Sequence, residues 1–218
     1  MSVQVLVASS VQDLGMAAAD AVLDRLAARA NPVLGIATGS SPLPLYEQLA
    51  RRARELPRLR GFALDEYLGL PPGHPQSYRE VVRREVIDPL GLDPDAVLVP
   101  DGTAAEPEAA AAEYEALIRA AGGVDVQILG IGSNGHLAFN EPGSPLDSRT
   151  RVVELTASTR LVDVRASDVP GSGPHQRLAV ACCSGQAMRG PCSSSWPKLF
   201  WLMADSASIK ATSSQFTQ

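Results

Sequence analysis

The stretch DVQILGIGSNGHLAFNEPG, residues 125–143, indicates both the fold and the edge of the sheet where a ligand would bind. It begins as a short apolar run, typical of a buried strand, and continues into a polar loop that contains glycines. The loop holds His136, one of three histidines in the chain, and the carboxylate of Glu141. In open α/β sheets, ligands bind where strands end in such loops. We therefore expect a ligand site at this position.

Strand and helix patterns alternate on both sides of this stretch. Strand patterns cover residues 3–8, 33–39, 96–102 and 151–156, and the run 61–70 begins as a strand and becomes a polar loop. Helical patterns cover residues 11–30, 41–55, 77–91 and 106–123, with Ser41 as the predicted N-cap of the second. The alternation predicts parallel βαβ units: an α/β fold with an open, mostly parallel, Rossmann-like sheet and helices on both faces.

Composition narrows the class of protein. The chain has 218 residues and a net charge of −5, which argues against a nucleic-acid partner. It contains no long apolar run and no signal peptide, so we expect no membrane association and a cytoplasmic location. The three cysteines, Cys182, Cys183 and Cys192, lack a metal-ligand spacing, so no metal site or disulfide framework is predicted. A homo-oligomer is compatible with these features.

Polar clusters follow three of the predicted strands. The first is Thr38-Gly39-Ser40-Ser41, which leads into a helix. Backbone N–H groups and the helix dipole at such a place can hold an anion, with the serine hydroxyls helping. A plain helix cap in a tight turn fits the same pattern. No Gly-Lys-Ser/Thr follows, so this is not a Walker loop.

The other two clusters offer acid–base groups. Asp65 and Glu66 alternate along a strand and should face opposite ways, so that one can enter a cleft. A strand-end aspartate is a candidate general base, although this cluster taken alone favours a loop-start cap. A carboxylate such as Glu141 in contact with His136 would fix the imidazole tautomer. A structural histidine is the alternative, and a hydrolase triad is excluded because no G-x-S-x-G motif is present.

Four motifs together resemble the glucosamine-6-phosphate deaminase family, within the group that also contains 6-phosphogluconolactonases. They are ATGSSPLPLYEQL (37–49), LDEYLGLPPGHPQSY (64–78), GIGSNGHLAFNEPGSPLDSRTR (130–151) and LTASTR (155–160). The GHLAFNEP portion favours deaminase over lactonase. The resemblance implies the conversion of glucosamine 6-phosphate and water to fructose 6-phosphate and ammonia in amino-sugar catabolism. It also implies a carbon–nitrogen hydrolase with a sugar-phosphate substrate and neither metal nor organic cofactor.

The resemblance assigns roles to matching residues. Asp65 would move a proton between C2 and C1 of the open-chain sugar, and His136 would assist ring opening while Glu141 holds it. Asn134 lies where many members have an aspartate of the same relay; asparagine can hydrogen-bond there but carries no charge. The substrate phosphate would be bound by Arg165 and by the Thr38–Ser41 segment, which consists of Thr38, Gly39, Ser40 and Ser41.

One further match concerns regulation. Arg151 corresponds to part of an allosteric amino-sugar-phosphate site of some members. Val153 replaces an expected lysine and Pro145 an expected serine. Arg151 is therefore interpreted as a remnant of that site, and allosteric activation is not expected.

The resemblance covers residues 1–160 and largely stops there. Both lysines, both tryptophans and all three cysteines lie in residues 161–218. We interpret residues 1–160 as an incomplete sugar-phosphate domain and the remainder as a divergent or frameshifted tail without an equivalent of the family's last strand. With GC-rich codons, another frame of residues 190–198 can encode a buried-strand sequence. An inactive, binding-only remnant is thus the alternative to an active deaminase, and a lactonase is a weaker one.

Overall fold

The computed structural model describes residues 5–132, 134–145, 147–156, 178–181 and 200–203. The helices are α1 (Val11–Ala27), α2 (Leu43–Arg51), α3 (Tyr78–Val82), α4 (Asp88–Leu90) and α5 (Pro107–Ala120). The strands are β1 (Val33–Ile36), β2 (Arg60–Ala63), β3 (Asp65–Tyr67), β4 (Val97–Leu98), β5 (Val126–Gly130), β6 (Arg151–Glu154), β7 (Leu178–Ala181) and β8 (Phe200–Met203). A π-helical turn, Arg83–Ile87, joins α3 to α4, and 3-10 turns lie at Ala53–Glu55 and Pro94–Ala96.

The central sheet has five strands in the order β4-β2-β1-β5-β8, and every recorded pair in it is parallel. In β1, Leu34 is opposite Gly61 of β2 on one side and Val126 of β5 on the other. This confirms the predicted α/β fold with a mostly parallel sheet. A second sheet, β3-β7-β6, is antiparallel and was not predicted.

Successive residues of a strand pack on opposite faces of the central sheet. Leu34 packs in the cluster that contains the apolar faces of α1 and α2, whereas its neighbour Val33 packs against Tyr114 and Ile118 of α5. Helix α1 begins at Ser10, whose hydroxyl accepts the Asp13 N–H at 3.1 Å as an N-cap. Helices therefore cover both faces, as the alternating pattern predicts.

The predicted first strand differs from the structure. Residues 5–8 form no strand, and the side chains of Val5 and Val7 are 81% and 90% exposed. Residues 1–4 lie outside the described ranges. An apolar run becomes a strand only where a sheet edge accepts its backbone hydrogen bonds, and composition does not report whether such an edge is available.

Asp65 and Glu66 lie in a strand, as predicted, but this strand is the separate β3, and both side chains are buried. A second local prediction is wrong. Ser41 does not cap α2; Pro42 occupies the N-cap position, and no side-chain cap bond is made. The error arises because a tight turn carries little local pattern.

Two four-residue strands fall within the segment that the sequence analysis separated as a tail. Strand β7 pairs with β3 and β6, and β8 pairs in parallel with β5. The expectation that no strand there completes the sheet is therefore wrong for β8. Four apolar residues can extend a sheet without showing any period of their own. The remaining residues from 157 onward lie outside the described ranges, so the boundary at 160 stays a prediction.

Candidate active site

Three neighbouring strands deliver the predicted clusters to one edge of the central sheet. Because β1 lies between β2 and β5, the carboxyl ends of all three strands are adjacent. The Thr38–Ser41 segment follows β1, Asp65 follows β2 and the His136 loop follows β5. The Leu64 N–H donates to the Ile36 carbonyl at 3.0 Å, so the paths leaving β1 and β2 stay bonded up to the residue before Asp65.

His136 is the first member of a chain of side-chain hydrogen bonds. Its Nδ1 lies 2.7 Å from Oδ1 of Asn134, and its backbone N–H donates to the same oxygen at 3.0 Å. The Asn134 amide then donates through Nδ2 to Oε2 of Glu141 at 2.8 Å. Thr156 donates its hydroxyl to the other oxygen of Glu141 at 2.9 Å. The order is His136, Asn134, Glu141, Thr156.

This order corrects the expected contact between Glu141 and His136. The carboxylate bonds to the asparagine amide instead of the imidazole, so it acts on the ring through Asn134. Sequence spacing could not distinguish the two arrangements, because the loop folds back on itself. Leu137 and Asn140 exchange two backbone hydrogen bonds at 3.1 and 3.0 Å, which turns the chain and brings Glu141 back toward Asn134.

The His136 loop is held tightly from two sides. Gly132 lies under the imidazole, where a side-chain Cβ would overlap the ring, and its N–H donates to the His136 carbonyl at 2.9 Å. On the other side, Phe139 is buried and packs with Tyr67 of β3 at a ring-centroid distance of 4.8 Å. Tyr78 stacks on Phe139 at 5.4 Å. This aromatic cluster joins the histidine loop to the strand that begins with Asp65.

Glu66, the predicted strand neighbour of Asp65, is a structural carboxylate, a role that the sequence does not predict. Its Oε1 accepts the backbone N–H groups of Tyr67 and Tyr78, each at 2.8 Å, and its Oε2 accepts that of Arg79 at 2.8 Å. Burial raises the pKa of Glu66 although these three donors favour its charged form. The side chain thus ties β3 to the start of α3 and fixes the strand that carries Asp65.

The Thr38–Ser41 segment forms an open turn. Gly39 has φ +102°, a conformation that favours glycine, and no atom of the described residues lies within 4 Å of a Cβ built there. Thr38 and Ser41 are half-buried, while Gly39 and Ser40 are exposed. The segment therefore presents backbone and hydroxyl groups to solvent at the sheet edge, where an anion could bind.

Arg151 contacts the histidine loop within its own chain. It donates from Nη1 to Oδ1 of Asn140 at 2.9 Å and to the hydroxyl of Ser148 at 3.0 Å. In the second sheet, Arg151 and Asp65 are both opposite Ala181, so the three residues form one row across the strands. The predicted role of Arg151 in an allosteric remnant stays a prediction.

Some predicted residues lie outside the described ranges. These are Arg165 and the cysteines Cys182, Cys183 and Cys192. Ser133, in the polar loop that contains His136, also lies outside them. Within the described part of the chain, no group of three histidine, cysteine, aspartate or glutamate side chains is placed to hold a metal ion. Among the same residues, no helix has both the length and the apolar character that crossing a bilayer requires.

Comparison with known proteins identifies the family. The profile described as "Glucosamine-6-phosphate isomerases/6-phosphogluconolactonase" matches residues 6–167. The chain belongs to this family. The match includes all four motifs at which the sequence resembles the deaminases, and it confirms that resemblance.

Curated members of the family are close in sequence. The chain is 52% identical over 179 residues to the glucosamine-6-phosphate deaminase of Arthrobacter sp. (strain FB24), covering 80% of this chain and 69% of the relative. It is 47% identical over 169 residues to the glucosamine-6-phosphate deaminase of Streptomyces coelicolor, covering 76% of this chain and 65% of the relative. The chain thus spans about two thirds of the length of these family members.

Solved structures agree with the assigned fold. A structure described as a monomeric glucosamine-6-phosphate deaminase superposes with a TM-score of 0.76 at 33% identity, covering 83% of this chain and 76% of that one. The 6-phosphogluconolactonase of Thermotoga maritima superposes with a TM-score of 0.63 at 18% identity, covering 92% of this chain and 97% of that one. The second likeness, at this identity, concerns the fold alone.

Proposed function

We propose that this family member converts glucosamine 6-phosphate and water to fructose 6-phosphate and ammonia. The main support is that the hydrogen-bonded series His136, Asn134 and Glu141 occurs in a chain about half identical to proteins named glucosamine-6-phosphate deaminase. The proposed enzyme is a hydrolase of carbon–nitrogen bonds that also isomerises an aldose to a ketose. Its phosphorylated, charged substrate fits the cytoplasmic location expected from the sequence.

Ring opening is the proposed task of His136. The Glu141 carboxylate only accepts hydrogen bonds, so the Asn134 amide must direct Nδ2 toward it and Oδ1 toward the imidazole. His136 then carries its proton on Nδ1, and Nε2 keeps a free lone pair. This nitrogen can take the proton from the O1 hydroxyl of the sugar. As the C1–O5 bond breaks, the same proton is returned to O5.

Asp65 is the proposed base for the next step. It removes the C2 proton of the open-chain sugar, and the carbonyl oxygen at C1 gains a proton, which gives an enolamine. Protonation of C1 then leaves a C2=N iminium group. Water adds to C2, the C–N bond breaks and ammonia leaves, so that C2 becomes the ketone of fructose 6-phosphate. The strand position of Asp65 at the shared sheet edge supports this role.

The substrate phosphate is proposed to bind at Thr38, Gly39, Ser40 and Ser41, with Arg165 as a further contact. The open turn at Gly39 supports the first part of this proposal. Binding energy from a remote phosphate can position the reacting carbons. The phosphate would therefore contribute to the rate as well as to affinity.

The deciding experiment measures ammonia release and fructose 6-phosphate formation in the same reaction. Stoichiometric appearance of both from glucosamine 6-phosphate is expected, with little hydrolysis of 6-phosphogluconolactone. The matched control is Asp65→Asn, which should lower kcat by about 10²–10⁴-fold and stop exchange of the C2 proton with solvent. Ligand-induced thermal stabilisation without turnover would instead identify a binding-only protein, and lactone hydrolysis would identify a lactonase. Either result would overturn the proposal.

A further inference from the structure

A buried tyrosine hydroxyl holds the backbone directly before the Thr38–Ser41 segment. The hydroxyl of Tyr46 accepts the Ala37 N–H at 3.1 Å and donates to the Ala37 carbonyl at 2.8 Å. Both residues are buried, with 2% and 5% of their surface exposed. One side chain thus satisfies both backbone polar groups of a single residue.

The position of Ala37 explains why it needs this partner. Strand β1 ends at Ile36, so Ala37 is the first residue beyond the recorded pairing with β2 and β5. A buried N–H or carbonyl without a partner costs free energy, and the tyrosine hydroxyl replaces the missing strand. Burial raises the pKa of Tyr46, so the phenol keeps the proton that it donates.

The bond also closes the segment into a loop with both ends fixed. Tyr46 lies in the first turn of α2, which begins at Leu43 directly after the segment. The same helix packs along α1, where Gly15 lies against Pro44. The end of β1 and the start of α2 are therefore held together across residues 38–42, with the open turn at Gly39 between them.

We infer that Tyr46 is a positioning residue for phosphate binding, acting through the Ala37 backbone to hold the Thr38–Ser41 segment in its binding conformation. The inference rests on the proposed function, because it takes the substrate phosphate to bind at this segment. Tyr46 itself would touch no substrate atom. Its loss should weaken phosphate binding more than it slows the chemical step.

Tyr114 provides a matched control in the same molecule. It is also buried, and its hydroxyl donates to the Ala63 carbonyl at 2.8 Å and to the Leu98 carbonyl at 3.0 Å. It therefore holds the ends of β2 and β4 from α5, on the opposite face of the sheet. A phenylalanine at either position removes one buried hydroxyl and keeps the ring, but only Tyr46 contacts the backbone that leads into the Thr38–Ser41 segment.

The test compares Tyr46→Phe and Tyr114→Phe in steady-state deamination. We expect Tyr46→Phe to raise KM for glucosamine 6-phosphate about tenfold, the equivalent of one hydrogen bond, with kcat changed less than about threefold. Tyr114→Phe should leave KM within about twofold. An equal rise of KM in both variants would attribute the effect to general loosening and overturn the inference. A loss of kcat alone in Tyr46→Phe would overturn it as well.

Inorganic phosphate separates this inference from the proposed function. Its dissociation constant, measured by calorimetry, should rise about tenfold in Tyr46→Phe and stay unchanged in Tyr114→Phe. This result is expected even if the wild-type chain releases no ammonia, in which case only the proposed function fails. An active deaminase whose phosphate affinity is insensitive to Tyr46→Phe would overturn the inference alone.

A measurement on wild-type protein covers the case in which Tyr46→Phe does not fold. Inorganic phosphate should slow amide hydrogen exchange at Gly39, Ser40 and Ser41, and also at Ala37, because the Tyr46 hydroxyl couples Ala37 to the segment. Slower exchange at residues 39–41 with no change at Ala37 would overturn the inference. So would the absence of any protection at saturating phosphate.

Discussion

The Oδ1 atom of Asn134 lies 2.7 Å from Nδ1 of His136, and this contact determines the tautomer of the imidazole. The amide orientation is fixed because Nδ2 donates to the carboxylate of Glu141. A flipped amide would place two acceptor oxygens against each other. The uncharged Asn134 thus accepts the Nδ1–H bond of the imidazole, whereas many members of the family are expected to have an aspartate at this position. The imidazole therefore carries a proton on Nδ1 and directs Nε2 away from Asn134.

Asn134→Asp should make the stability of the protein depend more strongly on pH. The new carboxylate would lie about 2.8 Å from that of Glu141, and two carboxylates this close share a proton. The folded protein then binds an extra proton, so the free energy of unfolding should fall as pH rises from 5 to 8, by about 1 kcal/mol or more relative to wild type.

Urea unfolding at several pH values measures this difference, and Asn140→Asp is the matched control. In that variant the new carboxylate faces the guanidinium of Arg151, which favours the charged form. Its folded pKa should be lowered, and its contribution to stability should grow with pH. The same pH dependence in both variants would contradict the contact between Asn134 and Glu141.

His136→Gln should slow the reaction of the closed-ring substrate more than that of an open-chain analogue. Ring opening requires a proton shuttle, which the amide cannot provide, whereas enolisation uses Asp65 in our proposal. The loss with the ring form should be about 10²-fold or more. Glu141→Gln should give a smaller loss of the same kind, because it acts through Asn134. Equal losses with both substrates would place His136 in the enolisation step.

The sequence predicts the candidate site from the points where an apolar strand pattern changes to a polar loop pattern. An apolar run followed by glycine and polar residues marks the ends of β1 and β5, and the structure places both at one sheet edge. A local sequence pattern does not predict contacts between segments that are far apart in the sequence. Strand β3 is three residues long, and its partner β7 comes more than 100 residues later, so the sequence does not predict the second sheet to which Asp65 and Glu66 belong. The sequence pattern around Tyr46 is that of a core residue on an amphipathic helix, and it does not predict the two hydrogen bonds between the Tyr46 hydroxyl and the Ala37 backbone.

Glu66 should make the fold more stable at low pH than at neutral pH. Burial raises its pKa above the unfolded value of about 4.3. A carboxyl group of this kind contributes its full stability below the unfolded pKa, and that contribution is lost as pH rises through the folded pKa. Glu66→Gln cannot ionise, so its free energy of unfolding should improve relative to wild type as pH rises above about 4.3.

Glu66→Ala separates the charge from the hydrogen bonds. It leaves three backbone N–H groups without their acceptor and should lower the free energy of unfolding by about 3 kcal/mol at low pH. This loss relative to wild type should shrink as pH rises, because alanine, like glutamine, has no carboxyl group to ionise. Glu66→Gln retains part of the bonding. Chemical denaturation at pH 4.5 and 7.5 compares the three proteins. A difference between Glu66→Gln and wild type that does not change with pH would contradict the raised pKa.

Gly132→Ala should displace the imidazole of His136 without unfolding the protein. A Cβ at this position would overlap the ring, and the three atoms closest to it all belong to the imidazole, so the ring must shift to make room. The backbone at Gly132 lies outside the positive-φ region, so alanine itself is tolerated. Moving the ring breaks its alignment with Asn134, and kcat should fall by about 10²-fold, toward the value of His136→Gln.

Gly130→Ala is the matched control, two residues earlier, at the last residue of β5. Among the residues that the structure describes, no atom lies within 4 Å of a Cβ built at Gly130, so kcat should change less than about twofold. Nitrogen-15 spectra report the position of the ring directly, because the chain has only three histidines and the Nδ1–H tautomer has its own pair of shifts. Gly132→Ala should change the shifts of one histidine and leave the other two unchanged. A fully active Gly132→Ala enzyme with unchanged imidazole shifts would mean that the ring does not rest on Gly132 in solution, and the proposed geometry of proton transfer would then fail with it.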